Sequence, residues 1–421
     1  MIGLFGMWGA IRAAWPLFVG MILLMVSNGL LSTILTIRAQ EIGYSETTIG
    51  LVQSGYPIGF ILSCFITPIM INHSGHVRVF AALVSIASTS ALIHLITDDP
   101  AIWVVMRVLS GFCFSGIYIV AESWLNSLAD NKNRGSLLSS YFVVQTAGYM
   151  VGQLMIGLSA PGAITLFIFT SVLLSVSLVP ILIAATTQPS LEEPQRVTIF
   201  ELFHISPMAV IGGFFIGISN GGLAFVTAIY ARNVGLSVPM TGYLLAATTL
   251  GGLLFQFPLG KLSDIFDRRL VIIISSIING LVCFVMVSVG TPHLYPIILF
   301  GGFLVMGGFT LPVYSICMAH MNDYLKPQQM VAASSTLVLV FSAGMVIGPI
   351  GGAFVLDRFG GTGMYVFYAM VALIMAGTGI QRLIKSDKGE VDDKDNAVPF
   401  AATTTPEATQ MHVDDLTEST P

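Results

Sequence analysis

Ser27-Asn28-Gly29 lies deep in a long apolar run and recurs, 192 residues on and again inside an apolar run, as Ser219-Asn220-Gly221. The same offset pairs Ala39 with Ala231, Gly43 with Gly235, Ser45 with Ser237, Gly50 with Gly242 and Gly59 with Gly251. Further along, an offset of 196 pairs Gly111 with Gly307, Tyr118 with Tyr314, Asn126 with Asn322, Ser139 with Ser335, Gly148 with Gly344 and Gly152 with Gly348. Chance glycine matches are easy in a chain with 43 of them, but runs of matches at a steady offset are not. The chain reads as two parallel copies of one unit.

Composition says what that unit is made of. Of the 421 residues, 55% are hydrophobic and only 9% charged, against about 25% charged in ordinary soluble domains. A bilayer can solvate that much apolar surface and water cannot. Spans of roughly 20 apolar residues are expected near 16–37, 47–70, 77–97, 100–125, 137–158 and 163–186, then near 207–231, 240–260, 269–290, 294–320, 331–353 and 363–385. The fold class expected is an all-α integral membrane protein of about twelve helices in two pseudo-symmetric six-helix halves, 1–186 and 207–385. A polar inter-half loop, 187–206, separates them. Residues 386–421 hold nine acids against Lys388 and Lys394 and read as a disordered acidic tail. That tail carries −7 of charge, so the rest of the chain is +2 and the net of −5 says nothing about a ligand. With the N-terminus inside, the basic residues divide thirteen inside to three outside, and both termini are expected in the cytoplasm. Residues 13–37 read as an uncleaved first helix and not as a signal sequence. Cys64, Cys113, Cys283 and Cys317 sit in apolar stretches without metal or disulfide spacing, so no metal and no cofactor is expected.

The loop after the eighth span reads Gly260-Lys261-Leu262-Ser263-Asp264-Ile265-Phe266-Asp267-Arg268-Arg269. It resembles the gating-loop signature of the major facilitator superfamily. The resemblance implies a latch in which Asp264, Arg268 and Arg269 pair with neighbouring helices and hold one conformation closed; the plainer reading is a topological anchor. The first-half counterpart departs from the pattern, with Asn72 at the place of Asp264 and His76 at the place of Arg268. His73 and His76 would make that loop pH-sensitive, or, on the plainer reading, are solvated loop residues. Arg107-Val108-Leu109-Ser110-Gly111 resembles the family's fourth-helix signature. A buried arginine needs a cavity or a partner, so Arg107 is either part of the translocation path and proton coupling or a snorkelling anchor. Glu122 is 15 residues further along, roughly 22 Å at 1.5 Å per residue, too far to pair with Arg107. It reads as a structural partner of Arg78, Lys132 or Arg134, or as a proton carrier. Gly344 to Gly352 looks like the family's antiporter signature, but it lies in the eleventh span and not the fifth, where Gln153 replaces the proline. A packing kink explains it better.

The stretches Glu122-Ser123, Asn133-Arg134-Gly135 and Gly308-Phe309-Thr310-Leu311 are similar to the bacterial YcaD-like branch of that family, over 10–385. The resemblance implies a multi-pass protein of the bacterial inner membrane. It implies a secondary transporter moving a small solute by alternating access, proton-coupled, monomeric, with no nucleic-acid partner. No Walker loop and no hydrolytic constellation is present, so enzymatic activity is not expected. Polar side chains deep in spans mark the candidate solute site: Asn28, Arg107, Tyr118, Tyr141, Gln145, Asn220, Gln256 and Tyr314. One fixed cation and no deep acid suit an anionic or neutral amphipathic solute. A multidrug/proton antiporter, and a non-transporting sensor on the same fold, are the alternatives.

Overall fold

Backbone groups in lipid have no water to bond, so each span must satisfy its own N–H and C=O groups. The computed structural model describes residues 2–128, 134–158, 164–184, 197–290 and 294–385, with side chains placed for all of these except 2–13, 127–128, 134–136, 184, 327–328 and 385. Its regular elements are all helical among the described residues. They are α1 (Ile2–Glu41), α2 (Glu46–Ser74), α3 (His76–Ile93), α4 (Pro100–Leu128), α5 (Arg134–Leu154) with a 3₁₀ turn at Met155–Leu158, and α6 (Ile164–Ala184) in the first half. A short α7 (Ile199–Ile205) precedes α8 (Pro207–Asn233), α9 (Val238–Ile265), α10 (Arg268–Val289), α11 (Pro296–Gly308), α12 (Val313–Asn322) and α13 (Pro327–Lys385).

Eleven helical stretches among the described residues are long and apolar enough to cross a membrane. The last, Gln329–Ile384, has 56 residues, roughly 84 Å at 1.5 Å per residue and more than twice a bilayer core of about 30 Å. It breaks at Gly360, whose φ of 64° and ψ of −164° only glycine adopts without strain. It therefore makes two passes, for twelve among the described residues. Passes alternate in direction, which puts the α1–α2 and α8–α9 loops on one side, here termed the first-loop face. The α2–α3 and α9–α10 turns lie on the other, the latch face. Large apolar side chains on the outside, such as Ile297 and Phe284, face lipid.

The repeated glycines are where helices touch. A Cβ at Gly59 would collide with the carbonyl oxygen of Val108, and one at Gly251 with that of Leu304. Gly111 faces the Tyr56 carbonyl and Gly307 that of Thr248; Gly152 faces Val26 and Gly348 faces Ile218. Each contact in one half has its repeat mate in the other. Backbones approach this closely only where no side chain intervenes, which is how helices associate in lipid.

Two features differ from expectation. The inter-half stretch 187–206 contains α7, capped by Thr198, whose hydroxyl accepts from the Glu201 N–H while Glu201 accepts from the Thr198 N–H at 2.7 Å. Residues 187–196 of that stretch, and the tail 386–421, lie outside the described residues. The tenth pass, expected as one helix, is interrupted between α11 and α12 at Phe309–Pro312. Pro312 has no N–H to give the Gly308 carbonyl. The Asn279 amide instead donates to the Phe309 carbonyl at 2.8 Å and to the Thr310 hydroxyl at 3.0 Å. Two buried apolar clusters lie toward the two faces, and both halves contribute to each.

Candidate functional site

Between those clusters is a cavity of about 180 Å³. Two helices, one from each half and packed against each other, line it at one helical spacing. On α5, Phe142, Gln145, Thr146, Tyr149 and Gln153 form a stripe; on α9, Leu245, Thr248, Thr249, Gly252 and Gln256 repeat it. Steps of three, four, seven and eleven residues return to one helix face. From α1 and α8 come the repeat mates Asn28 and Asn220, and Tyr118 from α4 lines the cavity too. None of the lining residues is charged.

The polar wall is largely self-bonded. Asn28 Nδ2 donates to the Tyr56 hydroxyl at 3.1 Å and to the Tyr118 hydroxyl at 3.2 Å. Asn28 Oδ1 has no hydrogen-bond partner among the described residues, so it presents an unused acceptor. Thr249 donates to Gln153 Oε1 at 2.9 Å, joining the two halves where α5 and α9 pack. Gln256 Nε2 donates to Ser315 at 2.9 Å, and Asn220 Nδ2 to the Ile216 carbonyl at 3.1 Å.

Of the candidates read from sequence, Asn28, Tyr118, Gln145, Asn220 and Gln256 line this cavity, and Arg107, Tyr141 and Tyr314 do not. Tyr141 is buried, and Tyr314 packs on Phe341 with ring centroids 4.6 Å apart. Arg107 is fully buried behind the wall, its guanidinium carbon 4.7 Å from the Tyr56 ring centroid and 5.6 Å from that of Phe225. Its position excludes a snorkelling anchor, which would reach the surface. Glu122 is also fully buried, within electrostatic range of the Tyr314 hydroxyl in the other half, whereas Arg78 is exposed. Lys132 and the Arg134 side chain lie outside the described residues. Sequence reasoning passed over Tyr56, Phe225, Tyr149 and Thr249. The α5 and α9 stripes were the available signal, since polar residues at helical spacing inside a span mark an interior face.

The latch loop forms a buried ion cluster. Arg268 is 1% exposed; its Nε donates to Asp323 Oδ2 at 2.8 Å and its Nη1 to Asp264 Oδ1 at 3.2 Å. Gly260 lies one turn before Asp264 and accepts from Ser263 through its carbonyl at 2.7 Å. Arg269 pairs with Asp267 at 2.6 Å. Burial pushes the Asp267 carboxyl up, but hydrogen bonds from the Arg269 side chain and backbone outweigh it and hold the group below its ordinary range. In the first half, Asn72 is exposed. His73 is exposed as expected, but His76 is not a solvated loop residue: it is 2% exposed and its Nε2 is 3.0 Å from the Ser123 hydroxyl. The reason is register. His76 opens α3 as Arg268 opens α10, so it inherits the inward-facing position without the charge.

The first-loop face is closed. Ser54 Oγ donates to the Val346 carbonyl at 2.8 Å, Gln40 to Asn233 at 3.0 Å and Thr47 to Asp357 at 2.8 Å, each across the halves. Gly50 packs against the Pro349 carbonyl and Ala353. The Gly344–Gly352 segment thus serves close packing, against α2 at Pro349 and against α8 at Gly344 and Gly348. No group of His, Cys, Asp and Glu among the described residues could hold a metal ion.

The sequence model of the Major Facilitator Superfamily matches residues 17–207 and 209–403. An uncharacterized MFS-type transporter of Enterobacter sp. (strain 638) is 25% identical over 367 residues, 86% of this chain and 94% of that protein. The uncharacterized MFS-type transporter YcaD of Escherichia coli O6:K15:H31 is 25% identical over 369 residues, with the same shares covered. Among solved structures, the nucleoside transporter NupG superposes with a TM-score of 0.72 at 13% identity, covering 89% of this chain and 100% of that one. A bacterial homolog of the human lysosomal transporter Spinster gives 0.63 at 16% identity, covering 96% and 98%. At such identities the two structures speak for the fold alone.

Proposed function

Because this chain belongs to the major facilitator superfamily, a family of multi-pass membrane transporters, we propose that it carries a small solute by alternating access, its two halves rocking about the central cavity. The observation that carries this reading is the cavity itself, walled by matching stripes from α5 and α9 in opposite halves. Its volume is about 180 Å³. Sites for drug-sized ligands run to roughly 300–1,000 Å³. Size and an uncharged lining favour a small solute that is neutral and amphipathic, or that carries one negative group to meet Arg107. They disfavour a bulky cationic drug.

Glu122 is the proton carrier in this scheme. It is a fully buried carboxyl on the latch-face side of the cavity, close to the opposite half. The latch face is assigned to the cytoplasm from the distribution of Lys and Arg. Its bacterial relatives support a location in the inner membrane, and a cavity lined wholly by one chain supports action as a monomer. The test is uptake by proteoliposomes from a mixture of small metabolites, read by mass spectrometry with and without an inward proton gradient. Gradient-driven uptake of a small neutral or monoanionic compound is expected. Glu122→Gln should lose the gradient effect while keeping counterflow exchange, and Arg107→Gln should lose anionic solutes. Uptake confined to large cations would overturn the reading. Reporter fusions at residues 195 and 390 should both report the cytoplasm.

A further inference from the structure

Arg107 and Phe225 make an unusual pair. The guanidinium is fully buried, and its Nε, Nη1 and Nη2 have no hydrogen-bond acceptor among the described residues. Arginine keeps its charge in proteins, and a buried charge without partners is costly. What compensates it here is two aromatic faces, Tyr56 at 4.7 Å and Phe225 at 5.6 Å. The two rings lie 6.3 Å apart, and both line the cavity that Arg107 itself does not reach. Tyr56 belongs to α2, beside α4, and travels with Arg107. Phe225 belongs to α8, in the opposite half.

That division matters because the three residues lie on the first-loop side of the cavity. Arg107 is in the second turn of α4 from that face, and Phe225 is eight residues from the end of α8. The contacts that close the face, Ser54 with Val346 and Thr47 with Asp357, join the same two halves. Opening the face breaks them and carries α8 away from α2 and α4. Phe225 leaves with α8, and the guanidinium loses one of its two covers on the cavity side.

We propose that Phe225 is a shutter over a fixed positive charge, so that the guanidinium is kept from direct contact with the cavity when the first-loop face is closed and is reachable when it is open. An anionic group on the solute, a carboxylate or phosphate, is then recognised from the first-loop face only. Closure returns the ring between Arg107 and the cavity and ends the direct contact that held the anion, which favours release toward the latch face. Charge recognition becomes directional without a second charged residue. The inference rests on the alternating-access reading and adds to it a specificity-determining residue.

The test is reaction of Arg107 with phenylglyoxal in the full chain in lipid nanodiscs, read by mass spectrometry. Thr47→Cys with Asp357→Cys, bridged by a short bifunctional thiol reagent in a Cys64→Ala background, locks the first-loop face shut. Arg107 should be protected in the locked protein and at least tenfold more reactive without the bridge. Phe225→Ala should make it reactive even when locked, whereas Phe225→Tyr, which keeps a ring, should stay protected and serves as the folded control. A locked Phe225→Ala protein as protected as the locked parent would overturn the shutter. Ser54→Cys, at the seam of the closed face, reports opening separately through a thiol reagent. If Ser54→Cys becomes reactive on unlocking and Arg107 does not, the shutter falls and alternating access stands. If neither responds, both fall.

Discussion

Arg268 joins two carboxylates of different burial, and cutting each link should cost a different amount. The Asp323 side chain is 3% exposed and lies 2.8 Å from Arg268 Nε; the Asp264 side chain is 24% exposed and lies 3.2 Å from Nη1. Asp323→Asn leaves an almost wholly buried guanidinium short of its closest counter-charge, and breaking a buried pair in this way costs about 3–5 kcal/mol. Asp264→Asn removes a longer contact from a carboxylate that water still reaches, which is worth about 1 kcal/mol. A gap of about 2–4 kcal/mol separates them, at least a tenfold difference in the folded-to-unfolded ratio at 1.4 kcal/mol per decade. The chain supplies its own probe, because Cys113, Cys283 and Cys317 are buried and a thiol-reactive dye reports their exposure on heating. Asp323→Asn should melt well below the parent. Asp264→Asn should melt close to it yet transport more slowly, because Asp264 with Arg268 and Arg269 matches the family's gating loop. Equal melting of the two variants would refute the burial argument, and unimpaired flux in Asp264→Asn would reduce the cluster to a topological anchor.

Asp267 titrates below its ordinary value of 3.8 because of Arg269. Its contribution to stability is therefore complete above that value and is lost as pH falls through the lower folded-state value. The melting difference between the parent and Asp267→Asn should be constant above about pH 5 and shrink on further acidification; a difference that grows in acid would contradict the pairing. Gly59→Ala and Gly251→Ala should each lower folded yield and melting temperature, by about 1–3 kcal/mol of overpacking or more, while Gly377→Ala, with open space around it, should be neutral. Truncation after Lys385 should leave proteoliposome flux unchanged, since 386–421 contain no stretch able to span a membrane.

Most of the fold was legible because lipid imposes one solution on every apolar run of sufficient length, and because the glycine repeats mark contacts that no larger residue can make. Gly59 and Gly251 were matched as letters and prove to be matched helix crossings. The break at Phe309–Pro312 was not legible. Hydropathy runs straight through it, and what stabilises the opened backbone is Asn279, about thirty residues away. At the site, isolated polar residues such as Asn28 and Gln256 were picked out because water-seeking groups in a span need an interior. Phe225 could not be, since an aromatic ring in a membrane helix carries no sign of whether it faces lipid or a cation. Arg107 stood out for its charge, but its distance from the cavity depends on which ring lies in front of it.

The interruption between α11 and α12 divides the tenth pass into two rigid rods with a joint between them. The first rod is fixed to α9 through Gly251 and Gly307, where backbone meets backbone. The second ends at Asp323, which Arg268 grips from the start of α10. Flexing at the joint sacrifices no helical hydrogen bond at Pro312, because that bond is already missing. The matching pass of the first half, α4, is continuous from Pro100 to Leu128 and has no such joint. The two halves, alike in outline, are unequal as machine parts: one has a solid arm at this position, and the other a jointed one whose latch-side end is not held to its far end by an unbroken helical ladder.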